Sequence, residues 1–248
     1  MTEKKKFAGV SSCLLHILAM AFMLCDHAWS MLFMDLDVLT CIGRIAFPIF
    51  AFMLVEGYFH TKDIKKYLLR LLIAAVLSEI PFNLMYEGSV FYIFHQNVIW
   101  TFLLSLLLIM WIDRVSQKNR LWLTILAGAG ITLLGFVLGY ALMLDYYGPG
   151  VLTVLGFYIF HDRRKWWNYL GQFVIMYVVN VSLLGGYYYP VTVFGHYFEL
   201  QQQALALLAL IPIWLYKGRQ GYHAKWFQYF CYGFYPVHML VLYLLWKL

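Results

Sequence analysis

Asp26 and His27 stand side by side in an otherwise apolar stretch, Cys13 to Met34, and Arg44 is equally isolated in the next one, Cys-Ile-Gly-Arg-Ile-Ala-Phe-Pro-Ile-Phe-Ala-Phe. Ionisable side chains in such surroundings are costly unless they pair or meet water, so they mark a functional site first and a structural one second. A carboxylate, an imidazole and a guanidinium can together fix a charge, move a proton near neutral pH and stabilise an oxyanion. Neighbouring residues on a helix point about 100° apart, so Asp26 and His27 cannot face each other, but either can face Arg44. The reading places Asp26 against Arg44 and leaves His27 free beside the pair. His16 lies eleven positions before His27, on the same helical face and about 16 Å away along the axis.

Other polar residues fall at similar depth: Glu79 ahead of Pro81 and Asn83, the run His95-Gln96-Asn97, Asp145 before Gly148-Pro149-Gly150, and His238 after Pro236. Singly, each reads as a residue that hydrogen-bonds helix to helix. Their concentration at one depth makes His27, Asp26, Arg44, Glu79, Asn83, Asn97, Asp145 and His238 the candidate catalytic set. Glu56 reads as a structural carboxylate that pairs with Lys62 or backbone donors.

The elements that must hold these residues follow from composition. The chain of 248 residues is 63% hydrophobic and 12% charged, with a mean hydropathy of +0.72, and its apolar residues come in runs of membrane-spanning length. An all-α, polytopic transmembrane bundle is expected as a single domain over 1–248. It has about nine spans, near 8–31, 37–58, 67–86, 93–112, 121–142, 146–160, 166–187, 200–216 and 227–246. The sixth is short and is broken by Gly148-Pro149-Gly150, so it either crosses or re-enters. Alternate loops are basic: Lys4, Lys5 and Lys6; Lys62, Lys65 and Lys66; Arg114, Lys118 and Arg120; Arg163, Arg164 and Lys165; Lys217, Arg219 and Lys225. The others carry Asp35, Asp37, Glu87, Asp145 and Glu199. The positive-inside rule then puts the amino terminus in the cytoplasm and the carboxyl terminus outside. The net charge of +6 is thereby an orientation signal and argues against a nucleic-acid partner. The first run is too long for a cleavable signal and is expected to remain as an anchor. The four cysteines have no paired spacing, so neither a metal site nor a disulfide framework is expected. Gly128, Gly130, Gly135 and Gly139 suit close helix packing, within the chain or between copies. The external loop from Tyr187 to Leu200 is the element best placed to meet an acceptor.

Several stretches resemble the TraX family of pilin acetylases: Met-Leu-Cys-Asp-His (23–27), Gly-Arg-Ile-Ala-Phe-Pro-Ile-Phe-Ala-Phe-Met-Leu-Val-Glu-Gly-Tyr (43–58), Lys-Lys-Tyr-Leu-Leu-Arg-Leu-Leu (65–72) and Ser-Glu-Ile-Pro-Phe-Asn (78–83). The likeness continues through Gln96-Asn97, Tyr147 to Leu152 and Phe234 to His238. It implies a bacterial inner- or plasma-membrane enzyme related to the integral-membrane acyltransferases, which move acetyl groups from cytoplasmic acetyl-CoA to acceptors outside. Those carry a basic residue, ten intervening residues and a histidine on the first helix. His16 and His27 have that spacing, with His16 in the place of the usual lysine. On this reading His16, Lys62, Lys65, Lys66 and Arg70 serve the donor, His27 is the general base, Arg44 holds the oxyanion or carbonyl, and Asp26 fixes Arg44 or the histidine tautomer. The acceptor is a peptide, glycan or lipid. A secondary transporter, or an accessory subunit of an export or conjugation apparatus, would use the same charges for ion coupling or for assembly.

Overall fold

The apolar runs become helices, and three of those described start where a side chain satisfies a free backbone N–H group. In the computed structural model, which describes residues 9–117, 120–222 and 224–248, Ser11 caps α1 (Ser12–Met31), Asp63 caps α4 (Ile64–Glu87) and Asn97 caps α5 (Val98–Ser116). Between α1 and α4 the chain returns as α2 (Asp37–Gly43) and α3 (Ala46–His60). It continues as α6 (Leu121–Ala141), α7 (Tyr147–Ile159), α8 (Trp166–Tyr177), a π-helical segment (Val178–Leu184), strands β1 (Tyr188–Val193) and β2 (His196–Gln201), a 3₁₀ segment (Gln202–Ala209), α9 (Leu210–Leu215) and α10 (Lys225–Lys247). Lys4, Lys5, Lys6 and Lys118 of the expected basic groups lie outside the described residues.

Among the described residues, seven helical segments are long and apolar enough to cross a membrane: 12–31, 37–60, 64–87, 98–116, 121–141, 166–184 and 225–247. Tyr147–Ile159 and Gln202–Leu215 are apolar but shorter. The fourth run starts as a helix only at Val98, because Asn97 turns its side chain onto the N–H of Ile99 at 3.0 Å and so ends the preceding extended stretch. The seventh is not a uniform helix, since its α-helical bonding gives way to the wider π pattern after Tyr177.

The all-α expectation fails over one stretch. The expected loop from Tyr187 to Leu200 holds, with Gln201, an antiparallel hairpin in which Tyr188 pairs with Gln201 and Val193 with His196. Its strands are aromatic and β-branched, and Phe194 and Gly195 both take positive φ, the geometry that a two-residue hairpin turn requires.

The core is built around α3, every residue of which from Ala46 to Glu56 is buried except Phe50. α1 packs between α2, α3 and α10, while α6 leans on α5 and α7. In α6, a Cβ on Gly135 would come within 2.5 Å of Leu108 and one on Gly139 within 2.6 Å of Gly148, so these two glycines serve packing inside the chain. Gly128 and Gly130 face open space. The elements meet at two ends. At one end, which carries the basic loops, Val10 pairs with Tyr216, and Ser12 N–H donates to Arg219 O at 2.8 Å. At the other, the hairpin end, Gln96 pairs with Leu144.

Candidate functional site

Near the hairpin end, Gly43 lets α2 press against α1: a Cβ there would lie 2.4 Å from the Cβ of Asp26. That contact brings the Asp26 carboxylate to Arg44, whose Nη2 donates to it. Thr40 completes the group. Its hydroxyl donates to Asp26 at 2.7 Å and accepts from Arg44 Nη2 at 3.1 Å and from Gln202 Nε2 at 3.0 Å. Arg44 Nε also donates to Thr40 O at 3.2 Å. The guanidinium is therefore held by one anion, one hydroxyl and one carbonyl, with its side chain still 20% exposed.

His27, one residue on, turns the other way and meets His238 of α10. The rings stack 7° from parallel, with His27 Nδ1 2.7 Å from His238 Nε2. His238 Nδ1 lies 2.6 Å from Phe234 O. A carbonyl oxygen only accepts, so that nitrogen carries the proton. With both rings neutral, His238 Nε2 then accepts from His27 Nδ1–H, and the remaining nitrogen of His27, Nε2, keeps its lone pair. Tyr86 and Tyr235 edge the same imidazole, with ring centres 6.0 and 6.2 Å away. Arg44 lies within electrostatic range of His27, and Tyr146 within range of Arg44, Asp145 and Asp26.

The other candidates divide. Glu79 and Asn97 form a knot rather than an open acid–base pair. Asn97 Nδ2 donates to Glu79 and to Ala75 O at 2.9 Å, and Trp100 Nε1 donates to the same carboxylate at 2.7 Å, tying α4 to the start of α5. Asn83 donates to Val90 O at 3.5 Å, while its buried Oδ1 has no partner among the described residues. Asp145 lies in the irregular link before α7, where Met143, Tyr146 and Tyr147 all take positive φ. There it faces His95 at 3.8 Å, with Glu87 3.5 Å from the same ring. The hydrogen bond to Asp145, followed by the charges of Asp145 and Glu87, raises the His95 pKa above its ordinary 6.5 despite partial burial.

The residues expected to serve the donor do not converge. His16 donates Nδ1–H to Ser12 O at 2.8 Å; Lys62 and Lys65 are exposed; Lys66 pairs with Asp63 at 3.3 Å; Arg70 donates to the Tyr232 hydroxyl at 3.4 Å. The concavity at the basic end lies elsewhere. A cavity of about 430 Å³ is lined by Glu56, His161, Asp162, Arg163, Arg164 and Gly218. Glu56, expected against Lys62, instead accepts from Arg163 at 2.6 Å and lies 2.9 Å from His161 Nε2, because the α7–α8 loop folds under α3. Arg163 also donates to Tyr216 O at 2.6 Å and stacks over Phe52 and Tyr216.

Residues 11–246 match the family described as TraX protein. The chain belongs to the TraX family. A curated relative, the probable fimbrial assembly protein FimC, serogroup H1, of Dichelobacter nodosus, is 27% identical over 244 residues, covering 92% of each chain. No solved structure matches. Matched residues thus take in both halves of the site, α1 with His27 and α10 with His238.

In this TraX chain the histidine pair also borders the exterior. A slot of about 510 Å³ runs along α10, lined by Leu24 of α1 and by Phe230, Gly233, Phe234, Val237, His238, Val241 and Leu242. Sequence reading missed Thr40, Tyr86, Gln202 and Tyr235. Nothing in their types distinguishes them, and only the fold brings them to the pair. Tyr146 alone had a signal, its place beside Gly148-Pro149-Gly150.

Proposed function

We propose that this protein transfers an acetyl group from cytoplasmic acetyl-CoA to an amine or hydroxyl presented at the hairpin end, outside the membrane, within pilus assembly or a related envelope process. The observation that carries the reading is the free Nε2 of His27, fixed by the hydrogen bond to His238 and placed beside a guanidinium at the same depth. The acceptor N–H or O–H gives its proton to His27 Nε2 as the nucleophile attacks the thioester carbonyl. Arg44, oriented by Asp26 and Thr40, stabilises the oxyanion of the tetrahedral intermediate. Collapse breaks the C–S bond, and the leaving thiolate takes the proton back from His27. Glu79 and Asn97 hold α4 and α5 in place around this centre.

The donor reading is supported by charge at the opposite end, where Arg163 and Arg164 line the 430 Å³ cavity, Lys165 follows them in the chain, and Lys217 and Arg219 come in the next loop. From Glu56 in that cavity to Arg44 is twelve residues, about 18 Å along the helix axis. Phosphates bound at one end and an acyl group reacting at the other require a donor with a long arm, as acetyl-CoA has and an acyl phosphate lacks. The relative's description as a fimbrial assembly protein supports a pilus subunit as acceptor.

The test is label transfer from acetyl-CoA in proteoliposomes with envelope extract as acceptor. Transfer by wild type and its loss in a folded His27→Ala variant supports the proposal. Equal transfer by both, or none by either, sinks it in favour of an accessory or transport role.

A further inference from the structure

The slot beside His238 is not needed for the proton movements above, yet it opens onto the side of the helix bundle next to the reactive pair. Its residues on α10, from Phe230 to Leu242, recur at helical spacing and form one stripe about 18 Å long. They lie well inside a helix of 23 residues that is long and apolar enough to span, so the medium at the slot mouth is hydrocarbon. Apart from the His238 imidazole in its floor, the lining is wholly hydrophobic. Gly233 opens it further, because a Cβ there would meet nothing within 4 Å.

Two occupants of that medium are a lipid chain and the helix of another protein, and size separates them. A helix about 10 Å across and 18 Å long fills roughly 1,400 Å³, nearly three times the slot's 510 Å³. One extended hydrocarbon chain belongs to the class of ligand that pockets of a few hundred Å³ accept. We infer that the slot is a binding site for one acyl chain of a phospholipid from the hairpin-end leaflet. Its tail runs from Leu242 toward Phe230. The bound chain covers His238 and seals the histidine pair from the side. This inference stands whether or not the acetyl-transfer reading does.

The probe is a phospholipid carrying a diazirine in one tail, photolysed with the full-length protein in bilayer nanodiscs and mapped by mass spectrometry. Cross-links concentrated at Leu24, Phe230, Val237 and Val241, above those at Leu126 and Leu133 on the exposed face of α6, are expected. Gly233→Phe puts a ring into the slot from a position where the added Cβ meets nothing within 4 Å. Displacing two methylenes of the chain should cut slot labelling about tenfold. Val237→Trp, at an exposed position, repeats the test should Gly233→Phe fail to fold. Labelling equal to that of α6 would reduce the slot to ordinary lipid contact. Labelling untouched by both fillings, or displaced by an apolar single-span peptide and not by unlabelled lipid, would overturn the proposal.

Discussion

At the scale of single residues, the Phe234 carbonyl decides which nitrogen of His27 keeps its lone pair, through one intervening imidazole. His27→Ala is expected to lower kcat by about 10²–10⁴. On the proposed mechanism, His238→Ala frees the tautomer without removing the base, so it should lower kcat by a smaller factor and leave KM for acetyl-CoA unchanged. Steady-state kinetics on the two variants separates base from positioning residue. Arg44→Lys keeps the charge but cannot hold Asp26, Thr40 Oγ1 and Thr40 O together, so a loss of about 10² in kcat follows if Arg44 serves the oxyanion. The charged members of this group were legible as lone charges in apolar runs. His238 was legible only as one more lone histidine, and Glu79 and Asn97 gave the same signal as a catalytic pair. What distinguishes them is how many of their polar atoms are already bonded, which depends on distances that sequence does not carry.

At the scale of elements, the α1–α2 contact rests on a missing side chain. A methyl at Gly43 would overlap the Cβ of Asp26, which cannot swing away. Gly43→Ala should therefore cost about 1–3 kcal/mol and weaken the Asp26–Arg44 pair, to be read as a lowered midpoint in thermal unfolding in detergent. The links at the hairpin end are tied by His95, which is stabilised in its charged form by Asp145 and Glu87. Because its pKa is raised on folding, that stabilisation is complete below about 6.5 and fades as pH rises through the higher folded value. A melting temperature that falls over that range in wild type and stays flat in His95→Gln is expected. Most helices were legible from hydropathy and the alternation of loop charge. The hairpin was not, since its aromatic residues also suit a membrane interface and only Phe194-Gly195 marks the turn.

At the scale of the whole molecule, polar chemistry is gathered at two ends of an apolar body. Glu56, His161 and Arg163 form one group, and Asp26, Arg44, His27 and His238 the other. Charge reversal at Arg164, whose side chain is 90% exposed, should weaken acetyl-CoA binding and raise KM without altering the fold, whereas the same change at exposed Lys65 should do neither; equilibrium binding of CoA to both variants checks this. The two-ended charge plan was legible in the sequence, but the cavity was not, because the α7–α8 loop meets α3 from more than a hundred residues away.

The histidine hydrogen bond joins residues 211 positions apart, one on the first helix and one on the last. Everything from α2 to α9 must be made before these rings can meet, so closing the pair depends on a contact of very high sequence separation. On the acetyl-transfer proposal, a chain stalled or clipped before α10 could insert most of its helices and still be inert, because it lacks the second ring of the pair.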